Sequence, residues 1–199
     1  GPSVHHFGIP GLQQRLTPPL PCTHGSIPFR VLFLSLDVAR AFDSAPFDSI
    51  LSALLNRGAP LWLVRLVQAW LRGRSQVVRV GEASSDPYPV ISGTPQGAAS
   101  SPALYGALVR PTFSLPYHPG GEMIHFADDV LFLRPCRGAE DERKLADDAN
   151  RYVAYLNSIG LKVNPAKSKV MVASLGCSPA VLSEPLLVDG TPVAEVVEL

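Results

Sequence analysis

The order of apolar segments predicts an α+β fold, with a small and mainly antiparallel sheet backed by helices. Three features lead there. Strand-like runs and helical periodicities alternate along the 199 residues without the strict strand-helix-strand repeat of a parallel sheet. Met123-Ile124-His125 and Val130-Leu131-Phe132-Leu133 flank Phe126-Ala127-Asp128-Asp129 at the spacing of a hairpin. A hydrophobic content of 46% is enough for one domain with a real core, and no apolar run approaches the ~20 residues that a membrane helix needs.

In chain order, residues 1–28 carry Pro10, Pro18, Pro19, Pro21 and Pro28 with little periodicity, and read as loop with at most one short helix. Val31-Leu32-Phe33-Leu34-Ser35-Leu36 is a nearly continuous apolar run, suited to a strand buried on both faces, and it delivers Asp37 at its C-terminal end. Asp43 and Ser44 are candidate caps for a helix in which Phe47, Ile50, Leu51, Leu54 and Leu55 recur at helical spacing until Gly58. A second helix starts at Pro60 and places Leu63, Leu66, Val67, Trp70 and Leu71 on one face, with Gly73 as its stop. Gln76 to Gly81 and Tyr88 to Ile91 read as short strands around a Glu82 to Pro87 turn. After the loop from Gly93 to Pro102, Ser101-Pro102 opens a helix carrying Leu104, Leu108 and Val109.

Beyond the hairpin, an amphipathic helix runs from about Ala139 to Ile159. Leu145, Ala149, Tyr152, Leu156 and Ile159 face inward, Glu140, Asp141, Glu142, Arg143, Asp147 and Asp148 face outward, and Gly160 closes it. Lys169 to Ala173 reads as a strand, and Leu186 to Val193 as a hairpin turning at Asp189-Gly190. The expected organisation is 1–28 as a divergent or poorly ordered lead segment, 29–175 as the main domain, and 176–199 as a C-terminal hairpin region.

Lys and Arg number 17 and Asp and Glu 17, so the net charge is zero. Nucleic-acid binders normally carry an excess of base, because phosphate neutralisation supplies much of their affinity. If nucleic acid is the ligand, the basic parts of the surface lie elsewhere. Cys22, Cys136 and Cys177 are odd in number and lack metal-ligand spacing, which favours free thiols in a reducing compartment. No basic stretch followed by an apolar core marks a secretory signal. His5-His6 lacks partners at metal-ligand spacing, His118 reads as solvated, and His125 fits either the core or the exposed side of its strand.

The chemistry concentrates in four blocks: Asp37-Val38-Ala39-Arg40-Ala41-Phe42-Asp43, Gly93 to Pro102 with its Pro95-Gln96-Gly97 core, Phe126 to Asp129, and Gly160-Leu161-Lys162-Val163-Asn164-Pro165-Ala166-Lys167-Ser168-Lys169. Adjacent carboxylates at a hairpin tip concentrate negative charge that a divalent cation would neutralise. A lone Asp pair in a turn is ordinarily a solvated reversal, but Asp37 at a strand end adds a third acid from another element. In this order the blocks resemble motifs A, B, C and D of the reverse transcriptases of non-LTR retrotransposons, with similarity from about Val31 to Met171. Pro-Gln-Gly followed by Ser-Pro is the most specific part.

The resemblance implies a polymerase palm with partial fingers and no thumb, and an RNA-directed DNA polymerase that uses two Mg2+ ions, or Mn2+, to add dNTPs to a DNA primer on an RNA template. It makes Asp37, Asp128 and Asp129 metal-site residues, with Asp37 and Asp128 the bridging pair, Asp129 an outer contributor and the Val38 carbonyl a further ligand. Phe42 matches the residue that packs under the incoming sugar and excludes a 2′-hydroxyl; taken alone, it reads as a core aromatic. Gln96 and Gly97 match the loop lining the nucleotide and template pocket, Phe126 the aromatic facing the primer end, and Lys167 the lysine at the departing pyrophosphate, which alone would read as a solvated surface charge.

Departures from the family pattern are Arg40 for Lys, Phe47 for His or Trp, Thr94 for Val, Ala98 for Ser and Phe126 for Tyr. Thr94 also occurs in group II intron enzymes, so a group II intron or retron enzyme stays open, as does a non-catalytic, polymerase-derived nucleic-acid-binding scaffold. His5 to Gly11 resembles at most a remnant of the fingers. The remaining fingers, the thumb and an endonuclease are expected on a longer parent chain, and without them polymerisation by the 199 residues is expected to be poor or absent. By the same resemblance the setting is intracellular, nuclear or cytoplasmic if the element is eukaryotic.

Overall fold

The structure is a computed structural model that describes residues 29–175 and 181–196. The lead segment, Cys22, Cys177 and the His5-His6 pair lie outside the described residues. Chain order runs β1 (Phe29–Asp37), α1 (Ala41–Ser44), α2 (Phe47–Asn56), α3 (Leu61–Leu71), β2 (Ser75–Gln76), β3 (Arg79–Val80), β4 (Ala83–Ser84), β5 (Tyr88–Pro89) and α4 (Ser101–Val109). A 3-10 turn over Arg110–Ser114 leads to β6 (Glu122–Phe126), β7 (Asp129–Cys136), α5 (Ala139–Ser158), β8 (Lys169–Leu175), β9 (Leu187–Val188), β10 (Thr191–Pro192) and β11 (Ala194–Val196).

The main sheet has the order β11-β8-β1-β7-β6. Every neighbour pair is antiparallel except β11 with β8. The apolar run of β1 makes it the central strand, but only one of its faces is sealed. Leu32, Leu34 and Leu36 are fully buried, whereas Val31 and Phe33 are half-buried and Ser35 is exposed. Even positions of β7 repeat the pattern: Val130, Phe132, Arg134 and Cys136 are buried. This period of two puts one face of the sheet against helices and leaves the other open among the described residues. α5 covers the sealed face with Leu145, Ala149, Tyr152, Val153 and Leu156, and α4 adds Leu104, Tyr105 and Leu108 to the same core. Each fully buried leucine contributes about 1.5–3 kcal/mol.

Four expectations need correction. Asp43 and Ser44 do not cap α2; the chain breaks at Ala45-Pro46, and α2 starts on the fixed φ of Pro46 (−65°). On α3, Leu66 and Trp70 are not on the inward face: Val64 and Leu71 are buried, while Trp62, Leu66 and Trp70 are exposed. Asp148 is not on the outer face of α5 but 4% exposed, and its Oδ2 accepts from Arg134 Nη2 at 2.7 Å. His118 is not solvated, since its backbone N–H donates to Asp148 Oδ1 at 2.9 Å and its ring Nδ1 lies at the same distance from that oxygen.

The remaining pieces are smaller. The two expected strands between α3 and α4 are two short ladders, β2 with β5 and β3 with β4, all exposed. The Asp189-Gly190 turn forms as expected, with both residues at positive φ. β11 was not foreseen; it returns to the main sheet at its β8 edge. No helix among the described residues is long and apolar enough to cross a membrane.

Candidate active site

The acidic residues meet where β1 ends beside the β6–β7 hairpin. Asp37 on β1 stands directly opposite Asp129 on β7, and Phe126 stands opposite Asp129 across a two-residue turn of Ala127 and Asp128. The Asp37 backbone N–H is directed to Ser168 Oγ at 3.3 Å, and its carbonyl accepts from Asn164 N–H at 2.8 Å. Both groups therefore point away from β7, so Asp37 and Asp129 form a non-hydrogen-bonded pair, in which Cα atoms are about 4.5 Å apart and side chains are closest.

Cross-strand partners share a face, so Asp37, Asp129 and Phe126 all project from the open side of the sheet. Phe126 is 78% exposed there. Asp128 occupies the tip itself and is exposed. His125 faces inward: its Nε2 lies 3.0 Å from the Tyr152 hydroxyl, and burial lowers its pKa.

Like charges directly opposite one another destabilise a strand pair, and no basic side chain among the described residues forms an ion pair with Asp37, Asp128 or Asp129. Hard carboxylate oxygens without a cation of the chain against them fit a small divalent ion such as Mg2+. Among the described residues no three acidic, histidine or cysteine side chains converge as one metal-holding group. The chain's further donor is the Val38 carbonyl. The bridge of Val38 to Val163 is closed by bonds from Ala39 N–H to the Lys162 carbonyl and from Asn164 N–H to the Asp37 carbonyl, each 2.8 Å. That pattern turns the Val38 carbonyl to the β7 side, where the hairpin tip lies.

Two non-glycine residues beside the acids hold left-handed backbone, Arg40 at φ 47° and Ala127 at φ 55°. Each costs about 1–2 kcal/mol relative to ordinary backbone. Strain of this kind collects at functional sites because the surrounding structure over-determines it.

The loop containing Lys167 buttresses Asp37. Ser168, fully buried, accepts from the Asp37 N–H and donates to the Asn164 carbonyl at 2.9 Å, and Asn164 Oδ1 accepts from Ala166 N–H at 3.2 Å in a local turn. Lys167 itself is exposed at the apex of this loop.

The Gly93 loop is joined just as closely to the segment after Asp37. Gly93 N–H donates to the Ala45 carbonyl at 2.8 Å, and Thr94 N–H to the Phe42 carbonyl at 2.7 Å. Gly93 has φ +82°, and a Cβ there would lie 2.5 Å from the Asp43 carbonyl oxygen, so only glycine fits. Gln96 Nε2 donates to Asp43 Oδ1 at 2.9 Å, and Gly97 is exposed at φ +81°. Phe42 is half-buried, with its ring centroid 4.9 Å from that of Tyr105.

Residues that the sequence reading passed over include Asp43, which anchors Gln96; Ser168 and Asn164, which hold Asp37; and Arg74. Its Nη2 donates to the Gly93 carbonyl at 2.7 Å while the guanidinium lies 5.4 Å from the Phe47 ring centroid. Only Asp43 and the Asn164-Pro165 turn carried a local signal, because the other contacts join segments far apart in sequence.

The model of the reverse transcriptase (RNA-dependent DNA polymerase) family matches residues 12–185. Over 153 residues the chain is 29% identical to the retrovirus-related Pol polyprotein from type-2 retrotransposable element R2DM of Drosophila melanogaster, covering 72% of this chain and 14% of that protein. Among solved structures, apo telomerase from Candida tropicalis truncated from its C-terminal domain gives a TM-score of 0.57 at 14% identity, covering 77% of this chain and 33% of that one. Telomerase from Candida tropicalis in complex with a TWJ fragment of telomeric RNA gives 0.52 at 13% identity, covering 75% and 27%. At these identities the likeness is one of fold, a polymerase palm.

Proposed function

We propose, on the premise that the chain belongs to the reverse transcriptase (RNA-dependent DNA polymerase) family, that it is the catalytic palm of an RNA-directed DNA polymerase of the non-LTR retrotransposon kind. The observation that carries this reading is the set of unneutralised carboxylates, Asp37 opposite Asp129 with Asp128 at the tip, on the open side of the sheet. Asp37, Asp128 and the Val38 carbonyl would hold Mg2+, with Asp129 beside them. When bound, a pair of divalent ions activates the attacking oxygen and offsets charge on the triphosphate. In the reaction the primer 3′-oxygen bonds to the α-phosphorus of a dNTP, the bond to pyrophosphate breaks, and Lys167 offers its charge to the leaving group.

The chain's other residues bind and orient. Gln96 and Gly97 line the nucleotide and template pocket, held in place by Asp43 and Arg74. Phe126 offers its exposed ring to the primer end, where a base can stack. Phe42, seated on Tyr105, closes the floor beneath the sugar. RNA template, DNA primer and dNTPs are thus the proposed partners, and the 14% coverage of the curated relative is the reason that fingers, thumb and endonuclease functions are assigned to a longer parent.

Primer extension on an RNA template, with dNTPs and rNTPs supplied separately, tests the reading. The native sequence in its parent protein should extend with dNTPs, and Phe42→Val should raise rNTP incorporation with the dNTP reaction retained. Unaltered sugar discrimination with a melting point lowered by the ~1–3 kcal/mol of lost burial would return Phe42 to the core. Absence of any RNA-templated synthesis by the native sequence would favour a non-catalytic scaffold.

A further inference from the structure

Both tryptophans of the chain lie on α3. Tryptophan is highly buried on average, yet Trp62 is 68% and Trp70 37% exposed, and Leu66 between them is exposed as well. At a rise of 1.5 Å per residue the two tryptophan positions are about 12 Å apart along the helix. Val64 and Leu71 turn inward on the other side, so the stripe is the outer face of α3 among the described residues. Charge gathers at the same place. Residues 57–81 hold five of the chain's 17 basic residues and none of its 17 acidic ones, in a chain that is neutral overall. Arg65 lies on α3 beside the stripe, Arg57 just before the helix, and Arg72 and Arg79 beyond its end, and all four are exposed. Arg72 meets Asp48 of α2 at 3.0 Å, whereas Arg57, Arg65 and Arg79 form no ion pair with a described residue.

We propose that the outer face of α3 is a docking surface for single-stranded RNA, with bases stacked on Trp62 and Trp70 and phosphates held by the arginines around them. A single strand supplies both chemistries at once, since every base has a face that stacks on an aromatic ring and every link carries a negative charge. A protein partner would need apolar side chains for the stripe and separate acids for the arginines. The surface also leads towards the proposed site. Arg74, in the turn after α3, donates from Nη2 to the Gly93 carbonyl at 2.7 Å, at the start of the loop assigned to the nucleotide and template pocket. The choice of RNA over DNA rests on the RNA-directed reading of that site, whereas the stacking and the charge do not depend on it.

The test uses the full 199-residue chain, without metal or dNTPs, and a single-stranded uridine RNA of about 12 nucleotides as the probe. A deoxyuridine strand of the same length is the second arm. With both tryptophans on α3, indole fluorescence reports this face rather than the carboxylate cleft. The expected result is the long-wavelength emission of exposed indoles, quenched saturably by RNA that binds at least as tightly as the deoxyuridine strand and loosens with salt. Trp62→Leu keeps an apolar side chain without the ring face and should weaken binding at least about fivefold, read from Trp70. Arg65→Ala should lower the slope of log affinity against log salt by about 0.7. Both side chains are exposed, so the melting temperature should not move. Emission typical of buried indoles in the free chain, RNA that leaves the fluorescence unchanged, or native affinity in Trp62→Leu overturns the proposal. Tighter binding of the deoxyuridine strand overturns the assignment to RNA. Asp37→Asn, which removes the proposed polymerase chemistry, should leave the quenching intact, so failure of the catalytic reading and failure of this surface are distinguishable.

Discussion

Asp37→Asn should reduce RNA-templated primer extension by about 100-fold or more, since even outer-shell partners of a metal are worth 10–100-fold, while the protein still folds. Asn keeps the shape of the side chain, and the bonds that hold this position are made by the backbone, to Ser168 Oγ and from Asn164 N–H. It also removes one of two like charges on directly opposed strand positions, which stabilises the pair by about 0.2–1 kcal/mol. The signature is therefore lost activity with an unchanged or slightly raised melting temperature. Activity and stability falling together would make Asp37 a structural residue and leave the proposed chemistry without its first ligand.

The largest effect on stability is expected from Asp148→Ala. Asp148 is 4% exposed and accepts from Arg134 Nη2 at 2.7 Å and from the His118 N–H at 2.9 Å, while Arg134, 3% exposed, also donates to the His118 and Pro119 carbonyls. These bonds tie the loop before the β6–β7 hairpin to β7 and α5. Removing the carboxylate strands a buried guanidinium, a loss of about 3–5 kcal/mol. Urea unfolding should show the midpoint falling accordingly, and replacing Arg134 and Asp148 together by apolar residues of similar volume should recover much of it. A single-variant loss below about 1 kcal/mol would mean that the pair is solvated and that the loop is held by other contacts.

The difference between what was legible in the sequence and what was not follows the range of the interactions involved. β1, β7 and α5 could be read because a buried strand or helix face writes its period into adjacent residues. Asp148 could not: a charge on a helix reads as outward, and the partner that pulls it inward, Arg134, sits on a strand whose neighbouring residues give no sign of it. α3 misled because leucine and tryptophan occur all round the helix, so periodicity alone does not choose the buried face. β11 gives little signal because Ala194-Glu195-Val196 is short and exposed, and its partner β8 lies about 25 residues earlier in the chain.

The site divides in the same way. The order of the four blocks named the family, yet the pairing of Asp129 rather than Asp128 opposite Asp37 is a matter of register, fixed by the two-residue turn. Tyr105, Tyr152 and His125 look in the sequence like ordinary members of apolar segments. Only the fold shows one hydroxyl without a partner and two groups paired behind the hairpin.

The proposed chemistry requires Asp37 and Asp128 to share a divalent cation at the hairpin tip. A crystal structure of the chain soaked in Mn2+ and measured for anomalous scattering locates the ion directly. The expected result is a peak within coordination distance of Asp37 and Asp128 carboxylate oxygens and of the Val38 carbonyl. Density showing Mn2+ bound elsewhere, or Asp37 and Asp128 directed to opposite faces of the sheet with no ion between them, would contradict it.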